Sequence, residues 1–414
     1  MRSIHSAALA SIRENISARL NYATRTTYDF RERTWGRIPP GLRPLVWLAV
    51  SLSVLVIPFF DDVWMRMFFD VALYAVLGMG LNVVVGMAGL LDLGFVAFFA
   101  TGAYVVAMLG SPVSPHFHTQ WNYWFLVPLA IGIGALFGVL LGLPVLPLRG
   151  DYLAIVTLGF GEIVRILALN MDNFTNGSAG LYSIPAPAIG STTITDARGF
   201  YILIVAAALI VWFATARLRD SRVGRAWEAI REDEDVAASM GINTTRYKLM
   251  AFATGASVGA LGGAIYAPFY NFVAPQSFTL LVSINVLALV IIGGMGNTKG
   301  VIAGAMILVG VPELLTFQET ASVLKWLAPV LNPVREAVNL LIHAFNTITF
   351  AHIKTLPPAA KWGEELSLYR FIVFGALLVA VMVLRPSGMF PSKRREMEFK
   401  HPPEAEVGQA EGIS

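Results

Sequence analysis

The sequence predicts an all-α, polytopic integral membrane bundle of about ten transmembrane helices, each near the roughly 20 apolar residues that a bilayer core requires. Three observations carry that prediction. Of 414 residues, 56% are hydrophobic and only 14% charged, whereas soluble globular chains carry about 25% charged residues. The apolar residues gather into runs of membrane-spanning length. Among the short loops, basic residues concentrate at alternate junctions between those runs, the pattern that the positive-inside rule demands.

The candidate spans are 44–60, 66–86, 92–110, 124–146, 151–170, 200–216, 248–270, 279–297, 299–316 and 368–385. The third, eighth and ninth are glycine-rich at one end and are candidates for broken or re-entrant helices. Residues 1–43 are polar and Arg-rich, from Arg2 to Arg43, with no short apolar core of a cleavable signal. They read as a cytosolic arm beside the membrane rather than as a transit peptide. With that arm inside, 61–65, 111–123 and 271–278 fall outside and contain no Lys or Arg, while 171–199 carries only Arg198. The inner junctions hold Arg149, the 217–248 segment, Lys299 and a tail with Arg385, Lys393, Arg394, Arg395 and Lys400. Both termini are therefore expected in the cytosol.

The 217–248 segment is a charged island with 7 basic and 6 acidic side chains between two apolar runs. No bilayer core accepts it, so it lies in water. It is also patterned. Val223, Trp227, Ile230, Ala237 and Met240 fall near one helical face. Asp220 or Ser221 can cap its start, Gly241 suits a left-handed C′ position, and Asn243 or Thr244 can open the next helix. A structured helix–turn–helix results, with Trp227 and Ile230 above an acidic run from Glu232 through Glu234 to Asp235. Such an element suits helix-in-groove docking, in which apolar anchors enter a cleft and charges set the orientation.

Several chemistries are excluded or left without residues to perform them. There is no Cys, hence no disulfide, thiolate metal site or Cys nucleophile. The run GGMGNTKG at 293–300 lacks the spacing of a phosphate-binding loop. The six His residues show no metal-ligand spacing within a span, and His116 and His118 lie together in an outer loop. No catalytic constellation, cofactor site or nucleic-acid-binding pattern is present. Inside the spans, Glu162 and Arg165 stand at i, i+3, a spacing that allows a structural ion pair on one helix and also leaves Glu162 as a pathway candidate. Asn82, Asp92 and Asn285 lie near Gly-rich helix ends and are further candidates for the translocation path. Interhelical hydrogen bonding is the plainer role for the same three residues.

Four stretches together carry a family resemblance: GLNVVVGMAGLLDLGFVAFFATGAY at 80–104, DYLAIVTLGFGEIVRI at 151–166, VGRAWEAIREDEDVAASMGIN at 223–243 and IIGGMGNTKGVIAGA at 291–305. The closing LRPSGMF at 384–390 adds a fifth. In this order they resemble the permease subunits of bacterial ABC importers for branched-chain amino acids, a family that also includes urea and short-amide permeases. The resemblance implies an inner-membrane permease that forms half of a translocation pathway. It implies a second homologous permease, two cytosolic ATP-binding subunits that hold the ATP, a periplasmic amino-acid-binding protein and surrounding lipid. It makes 223–243 the counterpart of the loop that couples to the ATPase, with Val223, Trp227, Ile230, Glu232, Glu234, Asp235 and Gly241 as coupling residues. The segment departs from the general importer pattern, reading Asp-Val-Ala-Ala at 235–238 in place of Glu-Ala-Ala.

The resulting division is an arm over 1–43, a permease core over 44–312, an outer or interfacial insertion over 313–367, a last helix over 368–386 and a cytosolic tail over 387–414. The insertion contains Pro329, Pro333, Pro357 and Pro358 and forms either a surface amphipathic helix or an additional pair of spans. Two other functions fit parts of the pattern. A urea or short-amide permease would share the whole architecture. An ion-coupled secondary transporter would share the spans and the Glu162–Arg165 pair but would have no use for the docking helix.

Overall fold

The computed structural model of the protein describes residues 62–314, apart from 118–119, 149 and 190–191, together with Glu336, Asn339, Gly375, Ala376, Leu378 and Val379. The expected arm, the first span, the Arg149 turn and the cytosolic tail lie outside the described residues. So do the insertion, save its first two residues, Glu336 and Asn339, and the last span, save the four residues just named.

Eight of the expected spans fall within the described residues, and each is helical. Helix α1 runs Asp62–Leu81 and widens into a π-helical turn over Asn82–Met87. A non-helical segment, 88–95, leads to α2, Val96–Gly110. Helices α3, Tyr123–Val145, and α4, Asp151–Asn170, follow. Helix α5 is Ala197–Arg219. The charged island forms two short helices, α6, Arg222–Glu232, and α7, Glu234–Ser239. Helix α8 is Thr244–Tyr270, α9 is Leu280–Gly293, and α10 is Thr298–Ala305, which loosens into a π-helical turn over Met306–Gly310. Among the described residues, six helices are long and apolar enough to cross a membrane, by length and composition. Asp92, expected within the third span, instead sits in the segment before it.

Helix α8 is the axis of the bundle. Its 27 residues extend about 40 Å. Small residues on α8 let α2 and α3 approach to backbone contact, which replaces the missing hydrophobic drive between helices in lipid. A Cβ on Gly102 would lie 2.0 Å from Ala260 O, and one on Gly138 would lie 2.6 Å from Phe252 O. Helix α1 packs against α5, α8 and α10 and is largely buried. By contrast α3, α4 and α5 turn large apolar side chains outward, among them Leu136, Leu140, Ile155, Ile163, Leu209 and Phe213. Those faces suit lipid or another membrane chain. At the end of the bundle opposite the island, Leu181–Tyr182 pairs antiparallel with Phe272–Val273 and ties the 171–196 segment to the end of α8.

Candidate functional site: the charged hairpin and the helix break behind it

Four residues shape the hairpin, and three of them, Ser221, Gly241 and Asn243, stand at positions legible in the sequence. Ser221 opens α6, its hydroxyl accepting from Gly224 N at 3.3 Å. Asn243 opens α8 by accepting from Arg246 N at 3.0 Å. Gly241 follows α7 with φ +85°, a conformation in which a Cβ is strained. The fourth, Asp233, breaks the expected single face. Asp233 is extended, and its carboxylate accepts from Asp235 N and Val236 N, both at 2.9 Å. One helix therefore ends at Glu232 and a second starts at Glu234.

That break decides which side chains face outward, and it corrects the expected anchors. Trp227 is fully buried and Ile230 is 5% exposed. Trp227 packs within the chain's own core and its Nε1 donates to Tyr247 O at 2.7 Å. Neither side chain is available to enter a partner's groove. Val223 is half-buried against the same core. Ala237 is buried with Trp227 and Ile230, but Met240, assigned to the same face, is 79% exposed, and Val236 is 57% exposed. Glu232, Asp233 and Asp235 surround them in solvent. Glu234 is engaged elsewhere, accepting from Lys248 Nζ at 2.6 Å, and Lys248 is almost wholly buried. Arg219 adds a looser pair with Glu228 at 3.9 Å. The base of the hairpin is thus locked to α5 and α8, and its tip presents two apolar side chains in an acidic surround.

Behind the hairpin lies the break between α1 and α2. Asn82 is fully buried and its Oδ1 accepts from Gly296 N at 2.8 Å, joining the π-helical turn to the 294–297 turn. Asp92 is also fully buried, and its Oδ1 accepts from Gly94 N at 2.9 Å. Leu93 N donates to Thr157 Oγ1 at 3.0 Å and Val96 N to Ser283 Oγ at 2.9 Å. Ser283 of α9 thereby caps the first N–H of α2, which has no partner within its own helix, and Thr157 of α4 holds the segment before it. Asn285 is placed apart from these. It lies beside Tyr74, near Asp70, whose Oδ1 accepts from Tyr270 OH at 2.7 Å. The three polar candidates therefore divide between an inner break and a second cluster toward the opposite membrane face.

Glu162 and Arg165 do pair on their own helix. Arg165 Nε lies 3.0 Å from both carboxylate oxygens, and Nη2 also donates to Oε1. Both are half-buried beside the outward-facing Ile163 and Ile166. Sequence reasoning missed Asp70, Tyr74 and Tyr270, although a carboxylate inside an apolar run was the same signal that singled out Glu162. It also missed Arg231, whose Nη1 donates to Gly86 O from 145 positions away.

The chain matches the family model for the permease component of branched-chain amino acid transport systems over residues 64–344. It is 36% identical to the high-affinity branched-chain amino acid transport permease LivM of Salmonella typhimurium over 363 residues, covering 82% of this chain and 71% of the relative. The Escherichia coli K12 LivM is 36% identical over 352 residues, 80% of this chain and 70% of the relative. The S. typhimurium LivH, a second kind of permease, is 26% identical over 263 residues. No solved structure matches the chain. A multi-pass, all-helical membrane protein matched by that family model from its first described span through the inner break and the hairpin, the chain belongs to the branched-chain amino acid transport permease family.

Proposed function

We propose that this chain is one of two related permease subunits in an ATP-driven importer of branched-chain amino acids in the bacterial inner membrane. The second permease is the LivH-like kind. Two cytosolic subunits bind and hydrolyse the ATP, and a periplasmic protein delivers the amino acid. The exposed pair Val236 and Met240, on an acidic tip whose base is locked to two spanning helices, is the observation that carries this reading. A solvated connector has no need to expose apolar side chains while burying a Trp and a Lys beneath them. Closure of the ATPase pair displaces the tip, and the Trp227–Tyr247 and Glu234–Lys248 contacts carry that displacement into α8. The substrate's charged groups need polar replacements for water along the path. Asn82 and Asp92 serve at the inner break, and Asn285 with Tyr74, Asp70 and Tyr270 serves on the opposite side. Glu162 with Arg165 clamps a subunit interface.

The orientation follows from loop charge: both termini and the hairpin in the cytosol, and 171–199 in the periplasm. Because the chain has no Cys, Ser178→Cys is expected to react with an impermeant thiol reagent in intact cells. Protection there together with labelling of Ser239→Cys reverses the orientation. The function is tested by uptake of labelled leucine, isoleucine and valine into proteoliposomes holding the complete complex. Uptake is expected only with ATP and the loaded binding protein. Uptake driven by an ion gradient without ATP would return the chain to the secondary transporters.

A further inference from the structure

The geometry points to Arg231 as the positioning residue that transmits hairpin movement into the inner break of α1. This rests on the permease reading, because Arg231 needs a docked ATPase to respond to. Arg231 closes the last turn of α6. Its guanidinium donates to Gly86 O, and that carbonyl lies in the π-helical turn at the C-terminal end of α1. The last carbonyls of a helix lack partners within it and form the negative end of its dipole. A cation delivered by the cytosolic hairpin therefore caps a transmembrane helix.

Two further contacts make this a junction rather than a chance hydrogen bond. The alkyl stem of Arg231 lies on Gly89, which has φ +73°, and a Cβ there would come within 2.6 Å of Arg231 Cγ. The guanidinium also borders Gly296, where a Cβ would lie 3.4 Å from Nη1. Gly296 N in turn donates to Asn82 Oδ1. One side chain on the hairpin thus touches the end of α1, the 88–95 segment and the 294–297 turn. All three are irregular pieces of backbone on the side of the bundle that carries the hairpin. When α6 moves, the cap on α1 moves with it or is lost, and in either case the inner break rearranges. A side chain that merely anchored α6 would not need to choose the free carbonyls of a broken helix.

The test uses the whole importer in proteoliposomes, with Ala88→Cys as a reporter inside the break of an otherwise Cys-free chain. In the wild-type background, thiol labelling at that position is expected to change on ATP binding. Arg231→Met keeps the stem on Gly89 and removes the guanidinium. It is expected to retain the ATPase subunits and ATP turnover, to lose the ATP-dependent change in labelling, and to carry about tenfold less amino acid per ATP. Arg231→Lys should recover part of both. Wild-type coupling in Arg231→Met overturns the proposal, and so does loss of the ATPase subunits, which would make Arg231 a docking residue. Should Arg231→Met fail to accumulate, Asn82→Leu cuts the next link from the membrane side. It is expected to abolish the ATP-dependent labelling, and intact labelling there overturns the proposal equally. The reporter needs no amino acid, so a wrong substrate assignment leaves this test standing. A wild-type complex whose labelling ignores ATP fails the permease reading and this inference with it.

Discussion

Helices α6 and α7 are consecutive, share one charged island and carry similar apolar residues, yet they use them in opposite ways. Helix α6 turns Trp227 and Ile230 into the chain, where Trp227 also bonds the backbone of α8. Helix α7 buries only Ala237 and leaves Val236, with Met240 just beyond, in solvent. The difference is set by one residue. Asp233 adopts an extended conformation and caps α7, so the apolar stripe does not continue from one helix to the next. A large buried aromatic group therefore marks the foundation of the hairpin, and the smaller exposed groups mark its working surface. In an interface, aromatic residues are the usual hot spots. Here the aromatic residue is already committed to the chain's own core.

Removing the foundation should have the larger effect. Trp227→Ala opens a cavity under α6 and frees Tyr247 O, and large-to-small changes of this kind cost about 3–5 kcal/mol. The hairpin is expected to become sensitive to limited proteolysis from the cytosolic side, and ATPase subunits should be lost together with that order. Trp227→Phe keeps most of the packing and should be far milder, with a loss of about 1 kcal/mol for the hydrogen bond. Unchanged protease resistance in Trp227→Ala would break the comparison, since it would mean that the buried ring is not what holds the hairpin.

Much of this arrangement was legible in the sequence. The described spans fall close to their expected positions because length and hydropathy are local properties. The caps at Ser221, Gly241 and Asn243 were readable because each acts within a few residues of itself. The pairing of Glu162 with Arg165 followed from spacing along one helix. The division of the apolar face was not read, because periodicity reports that residues share a side and not what lies against it. Asp233 offers the missing signal, an acidic residue three positions before a short apolar pair, but within an acidic run nothing local distinguishes a cap from its neighbours. Arg231 was beyond reach for a different reason. Its partner is a backbone carbonyl 145 positions away, and a carbonyl has no residue identity to recognise. Asn82 stands in the sequence as a polar group near a Gly-rich end, but that it ties two irregular segments together is a property of the assembled bundle, whereas Asp92 bonds within its own segment.

The most direct measurement is the retention of ATPase subunits by a permease in which only the tip is altered. Val236→Asp with Met240→Asp changes two exposed side chains and leaves the Trp227 and Lys248 contacts in place. The variant is expected to insert normally, pair with the second permease and keep a protease-resistant hairpin. Its affinity for the ATPase subunits should fall by about 2 kcal/mol for each anchor lost, roughly thirtyfold apiece. Full copurification of the ATPase subunits with this double variant, at wild-type ATP turnover, would contradict the account and leave the exposed tip without a partner to explain it.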